Sequence, residues 1–259
     1  MPGCIGSMDV THIYMHRCYS SLRNLHKGKE GFPTRAYQIA VNHRRQILSC
    51  SSGFFGSYND KTISSLDDFA LSIRDNEIYR DFEWNIHDQQ GNILKIKGVW
   101  LAVDNGYHRW VSTISPMKET SNLESWRWSK WIEGIRKDVE CTFGILKGRF
   151  RILKNGFRVH NLETTDNIFK TCCALHNMLL EVDGLDLEWK EGVKGDYELE
   201  YEDGNEIPIQ ILKVNTDDKF SQRRYELINH FNYKWINREV EWPSRNGKVK
   251  SKIFEMIQE

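Results

Sequence analysis

Residues 99–103 read Val-Trp-Leu-Ala-Val, five in a row without a charged or hydroxyl side chain. A strand with one wet face alternates apolar and polar residues, so an unbroken apolar run suits a strand buried on both faces. Such a strand belongs inside a sheet with helices packed over both sides. The run stops at Asp104-Asn105-Gly106, which is turn chemistry.

The neighbouring patterns agree with an α/β class. Residues 4–13 alternate loosely and predict a strand. Residues 36–41 and 46–51 predict two more around a turn at 42–45, so the three form an antiparallel meander. A basic, glycine-containing loop spans 17–29. Residues 64–73 carry Leu66, Phe69, Ala70 and Ile73 at helical spacing, with Ser64 or Ser65 able to cap the start. Residues 82–96 predict a hairpin around Asp88-Gln89-Gln90-Gly91.

Two long helices follow. In 126–150 the residues Trp128, Trp131, Ile132, Ile135, Val139, Phe143 and Leu146 trace one apolar stripe. In 163–182 the inward face is expected to hold Ile168, Phe169, Cys172, Leu175, Leu179 and Val182. Residues 181–206 then contain eleven acids against two lysines, an exposed acidic segment. A short helix is predicted over 221–231, and 245–252 is basic. The expected division is a main domain over 1–182, the acidic segment over 183–219, and a short helical and basic tail over 220–259.

Composition excludes some classes. With 9 Trp, 10 Tyr and 12 Phe in 259 residues, the chain has the apolar material for a core that a disordered protein lacks. Lys+Arg and Asp+Glu are both 36, so net charge is silent about a nucleic-acid partner and the distribution must decide. Six cysteines without a Cys-x-x-Cys pair, and no secretory leader, predict reduced intracellular thiols. No apolar run reaches membrane-spanning length, so no membrane partner is expected.

Three acids sit where acids are awkward. Asp9 is mid-strand, Asp104 ends the apolar strand, and Glu140 adjoins Val139 at the edge of a buried helical stripe. Carboxylate oxygens are hard ligands for magnesium or manganese, and carboxylates around two such ions hydrolyse phosphodiesters. Taken singly, each has a plainer explanation: a paired surface acid, a turn residue, and an ion-pair partner for Arg136 or Lys147.

Their surroundings decide between these readings. Gly6-Ser7-Met8-Asp9-Val10-Thr11-His12-Ile13 resembles the opening motif of PIF/Harbinger-type transposases of the DDE superfamily. Val103-Asp104-Asn105-Gly106-Tyr107 resembles the motif around their second acid, and the stretch from Val139-Glu140 to Arg149-Phe150 resembles that around the third. Thirty-five residues separate Asp104 from Glu140, a spacing familiar in that superfamily, and Cys173-Ala174-Leu175-His176-Asn177 resembles the helix that follows. The likeness covers roughly residues 4–180.

The resemblance implies a ribonuclease H-like fold, a mixed sheet with helices on both faces. It implies a magnesium- or manganese-dependent endonuclease and strand transferase acting on DNA, with Asp9, Asp104 and Glu140 as catalytic acids and metal ligands. Asp9 would bridge both ions. Asp60 matches an auxiliary acid, although Asn59 stands where the family has His and Val103 where it has Gly. Members usually carry a helical region before the first acid, whereas eight residues precede Asp9, so a truncated copy or a late-starting gene model is expected. A Myb-like DNA-binding partner and, in a eukaryote, a nuclear location are implied too. The alternative is a non-catalytic relic that binds DNA or a protein.

Residues 127–158 hold nine Lys/Arg and three acids. Lys147, Arg149, Arg151 and Lys154 are candidate phosphate contacts, or a solvated helix face. His12 with His16, and Cys173 with His176, are weaker candidates for metal; Trp128 and Trp131 fit the core better than base stacking.

Overall fold

The computed structural model describes residues 1–118, 122–184, 193–194 and 218–242. In chain order the strands and helices run β1 Cys4–Tyr14, α1 Arg23–His26, β2 Thr34–Val41, β3 Ile47–Cys50, β4 Phe54–Phe55, α2 Asp60–Leu66, α3 Asp68–Asp75 and α4 Glu77–Arg80. There follow β5 Glu83–His87, β6 Ile93–Lys97, β7 Trp100–Ala102, β8 Thr113–Ile114, α5 Leu123–Arg149, α6 Arg151–Asn155, α7 Leu162–Asp183, β9 Val193–Lys194, α8 Lys219–Ile236 and β10 Glu241–Trp242. The fold is mixed α/β, with both parallel and antiparallel strand pairs.

The described residues gather into two compact units. The first comprises Met1–Ile5, Ser72–Arg136 and the described part of Glu191–Arg245; the second comprises Gly6–Leu71 and the described part of Lys137–Lys190. Residues 1–182 are thus shared between two units, and α8 belongs to the first. Most of the expected acidic segment over 183–219, and the basic stretch at 245–252, lie outside the described residues.

In the first unit β7 pairs in parallel with β8, while β5 and β6 form a separate hairpin. Val99 to Val103 are all buried, as an unbroken apolar run requires. Their core also takes Trp128, Trp131, Ile132 and Ile135 from α5 and Phe220, Leu227, Phe231 and Trp235 from α8. The hairpin turn is built by Asp88, whose Oδ1 accepts the N–H groups of Gln90 and Asn92.

In the second unit β2 pairs antiparallel with β1, β3 and β4, with Asp9 opposite Ile39 and Ile39 opposite Cys50. The core joins Ile13, Tyr37, Ile39 and Ile47 to Val139, Phe143 and Leu146 of α5 and to Phe169, Cys172 and Cys173 of α7. Each such side chain contributes about 1.5–3 kcal/mol when fully buried.

Two local expectations needed correction. The helix expected over 64–73 is two helices, because Asp67 takes an extended backbone and its buried carboxylate caps the second by accepting Ala70 N–H at 2.9 Å. The first begins earlier, capped by Asn59 rather than by Ser64 or Ser65. On α7 the buried face is rotated: Leu175 and Val182 are exposed, and Thr165, His176 and Asp183 are buried beside Phe169, Cys172 and Leu180. Hydrophobicity alone placed the stripe, whereas specific polar partners hold the real one.

Candidate functional site

Asp9 lies midway along β1, half-buried, and its Oδ1 accepts the N–H of Val10 at 2.8 Å. The Gly6 that opens its motif has a steric reason. With φ at +153°, a Cβ there would sit 1.9 Å from the Val41 carbonyl oxygen, so a side chain would push β1 off β2.

Asp60 is the first residue of α2. Asn59, which departs from the family pattern, is that helix's N-cap: its Oδ1 accepts the N–H of Thr62 at 2.9 Å and the Thr62 hydroxyl at 3.0 Å. Capping is a task Asn performs well, so the replacement has a local structural role.

Glu140 is exposed on α5, while its motif neighbours Val139, Phe143 and Leu146 are buried. The spacing of the third motif is therefore the spacing of a core stripe with an acid on its margin. Asp9, Asp60 and Glu140 belong to the second unit, and Asp104 to the first.

Asp104 follows β7 and its Oδ1 accepts Gly106 N–H at 2.7 Å, the turn bond its sequence predicts. It lines a cleft of about 400 Å³ with Asn105, Gly106, Pro116, Lys118, Glu133 and Arg136. Sequence reading missed Lys118 and Glu133 as its neighbours. Glu133 lies one helical turn from Arg136 on α5, an i,i+3 relation that was available as a signal.

The four candidate phosphate contacts fall into two pairs. Lys147 is half-buried and donates to the His12 carbonyl at 3.4 Å; burial pushes its ammonium below the usual lysine range. Arg149 donates to the buried carboxylate of Asp183 at 2.6 Å. Arg151 and Lys154 are exposed on α6.

The weaker metal candidates have structural partners. The Nδ1 of His12 bonds the Thr34 hydroxyl, and His16 bonds the Asn155 carbonyl. His176 is fully buried and donates from Nε2 to the Arg45 carbonyl at 2.9 Å, while burial pushes its pKa below the usual histidine value. Beside it Asn177 receives the N–H of Ile47 and donates to that residue's carbonyl, so the His-Asn pair grips the start of β3. None of the six cysteines, all among the described residues, is in a disulfide. Among the described residues no three His, Cys, Asp or Glu side chains gather closely enough to hold a metal ion. No helix among them is long and apolar enough to cross a membrane.

A family model described as plant transposon protein matches residues 1–187. The chain belongs to that family. Its curated relatives include "Putative nuclease HARBI1" of Rattus norvegicus, 24% identical over 89% of this chain and 60% of the relative, and the protein of that name from Homo sapiens, 22% identical over 84% and 58%. "Protein ALP1-like" of Arabidopsis thaliana is 23% identical over 73% of this chain and 46% of its own length. The chain thus spans about 60% of the length of the first of these. No solved structure matches it.

Proposed function

We propose that this chain is the endonuclease core of a transposase-derived protein of the DDE type, with a ribonuclease H-like fold, cutting phosphodiester bonds in DNA. The observation that carries the reading is the cleft of Asp104. The second acid of the motif series opens on a polar cavity that also presents Lys118 and Arg136. Cations able to hold a phosphate beside a carboxylate are what backbone chemistry on DNA needs. The nuclease named among the relatives supports the same class.

In this proposal Asp9, Asp104 and Glu140 are the catalytic acids and would hold magnesium or manganese, with Asp60 as an auxiliary acid. A bound ion would activate the attacking oxygen and stabilise the leaving one. The donor chemistry fits, since all three are hard carboxylate oxygens. The described residues offer no ready-made three-ligand cluster. What the chain itself supplies is orientation and charge. The Val10 and Gly106 N–H groups hold one oxygen each of Asp9 and Asp104. Lys118 and Arg136 neutralise a phosphate in the cleft, and Arg151 and Lys154 contact the DNA backbone. A Myb-like partner would read the target sequence, and in a eukaryote the protein would work in the nucleus.

The test is nicking of supercoiled plasmid with manganese by the purified chain. Asp9→Asn, Asp104→Asn and Glu140→Gln are expected to abolish it, because each keeps size and loses charge. No nicking above the Glu140→Gln control, in a sample shown to be folded, sinks the catalytic reading in favour of a DNA-binding relic.

A further inference from the structure

Two stretches far apart in sequence are held together in the second unit. Met15 bridges Phe157, and His16 N–H donates to the Phe157 carbonyl at 2.9 Å. The His16 ring donates from Nε2 to the Asn155 carbonyl at 2.7 Å, and the rings of Tyr19 and His160 meet at 5.3 Å. The basic loop after β1 therefore lies against α6 and the residues that follow it. The loop is also pinned from its other side. The buried His26 donates from Nδ1 to the Thr34 carbonyl, and Ser57 N–H donates to the Leu25 carbonyl.

This surface has an unusual make-up. The loop exposes Arg17, Arg23, Lys27 and Lys29, and the second stretch exposes Arg151, Lys154 and Arg158. Glu30 is the one acid in residues 16–32, and residues 151–160 have none. Among these cations stand exposed rings: Tyr19 at 53%, Phe32 at 43% and Tyr14 at 36%. Tyr14 meets Phe32 edge-on at 5.0 Å and His16 at 4.5 Å. Cations alone suit any phosphate backbone. Exposed rings among cations suit bases whose faces are free, because stacking needs a π-face that a paired, stacked base does not offer.

We infer that this surface binds a DNA strand with unpaired bases, such as a frayed or single-stranded end, with Arg17, Arg151 and Lys154 on its phosphates and Tyr19 and Phe32 stacking on its bases. The inference deepens the nuclease reading by naming the form of its substrate, and takes from that reading only that the nucleic acid is DNA. It needs no metal.

The experiment is fluorescence anisotropy of the whole chain in EDTA, which separates binding from cleavage, so that a failure of nicking and a failure of this inference are distinct results. A duplex with a short unpaired 3′ overhang is compared with the same duplex blunt-ended. The overhang is expected to bind roughly tenfold more tightly. Tyr19→Leu with Phe32→Leu should erase that difference, and Tyr19→Phe with Phe32→Tyr should keep it. Arg151→Ala with Lys154→Ala should weaken both duplexes alike. Equal binding of blunt and overhang DNA by the wild type would overturn the inference. So would a leucine double variant that unfolds at the wild-type temperature yet keeps the preference, or tighter binding of an RNA strand of the same sequence.

Discussion

Arg149 and Asp183 join the end of α5 to the end of α7 through one hydrogen-bonded ion pair, Nη2 to Oδ2 at 2.6 Å, with the Asp183 side chain 2% exposed. A cation that reads as a phosphate contact in the sequence is thereby a clamp inside one unit. Removing it strands a buried carboxylate, and breaking a buried pair from one side costs about 3–5 kcal/mol. Arg149→Ala should lower the free energy of unfolding by about 3 kcal/mol in a urea titration, while Arg149→Ala with Asp183→Ala recovers part of the loss.

Asp166 sits at a second polar junction of that unit. It receives Nε and Nη2 of Arg35 at 3.0 and 2.8 Å and the Tyr37 hydroxyl at 2.9 Å. Burial pushes its carboxyl up, but Arg35, Tyr37 and Gly53 N–H outweigh that and hold it below the usual range. A depressed carboxylate pKa contributes stability that is present above the unfolded value near pH 4 and is lost as pH falls through the folded value. Asp166→Asn should therefore flatten the acid limb of a stability profile. Gly53→Ala should act on the same junction, since a Cβ there would lie 2.2 Å from Arg35 Nε and 2.4 Å from Asp166 Oδ1. A thermal melt should show both variants destabilised.

His230 of α8 in the first unit is buried and accepts the His87 N–H on Nδ1 at 3.0 Å. Burial first, then the neighbouring His87 and Lys234, lower its pKa to about 4. The neutral ring is the folded form. Its contribution is complete above about pH 6.5, the unfolded histidine value, and is lost as pH falls from there through about 4. Up to about 3 kcal/mol rides on that window, at about 1.4 kcal/mol per pKa unit. Unfolding titrations at pH 7 and pH 5 should show the loss in the wild type. In His230→Phe the difference between the two pH values should shrink.

Arg151 and Lys154 are the exposed half of the basic cluster. Replacing both by Ala should weaken binding to every duplex sequence about equally and reduce the slope of log affinity against log salt by about 2, one for each lost phosphate contact. An unchanged slope would leave the pair as a solvated face. Lys147→Ala is expected to change the slope less, because its ammonium is half-buried against the His12 carbonyl.

Local periodicity made the elements legible. The buried run at 99–103, the meander of β1 to β3, the Asp88 hairpin and the two long helices all follow from side-chain spacing and turn residues that act within a few positions. The strings around Asp9, Asp104 and Glu140 were legible as a family likeness, which the match to the plant transposon family over residues 1–187 bears out. The fate of individual polar residues was not. Asn59 reads as a departure from the family's His and is a helix cap, and the α7 stripe reads toward Leu175 and Val182 when its true face carries His176 and Asp183.

The amino-acid order by itself determined the longer strands, the Asp88 turn, the two long helices and which family the chain joins, since these depend on neighbours a few residues apart. Tertiary structure alone decided which charges are spent inside and which face solvent. Arg149 finds Asp183 across 34 residues, Arg35 finds Asp166 across 131, and His16 finds Asn155 across 139. The energy of a buried charge or hydrogen bond depends on a partner brought close by packing, and no pattern along the chain records that partner's distance.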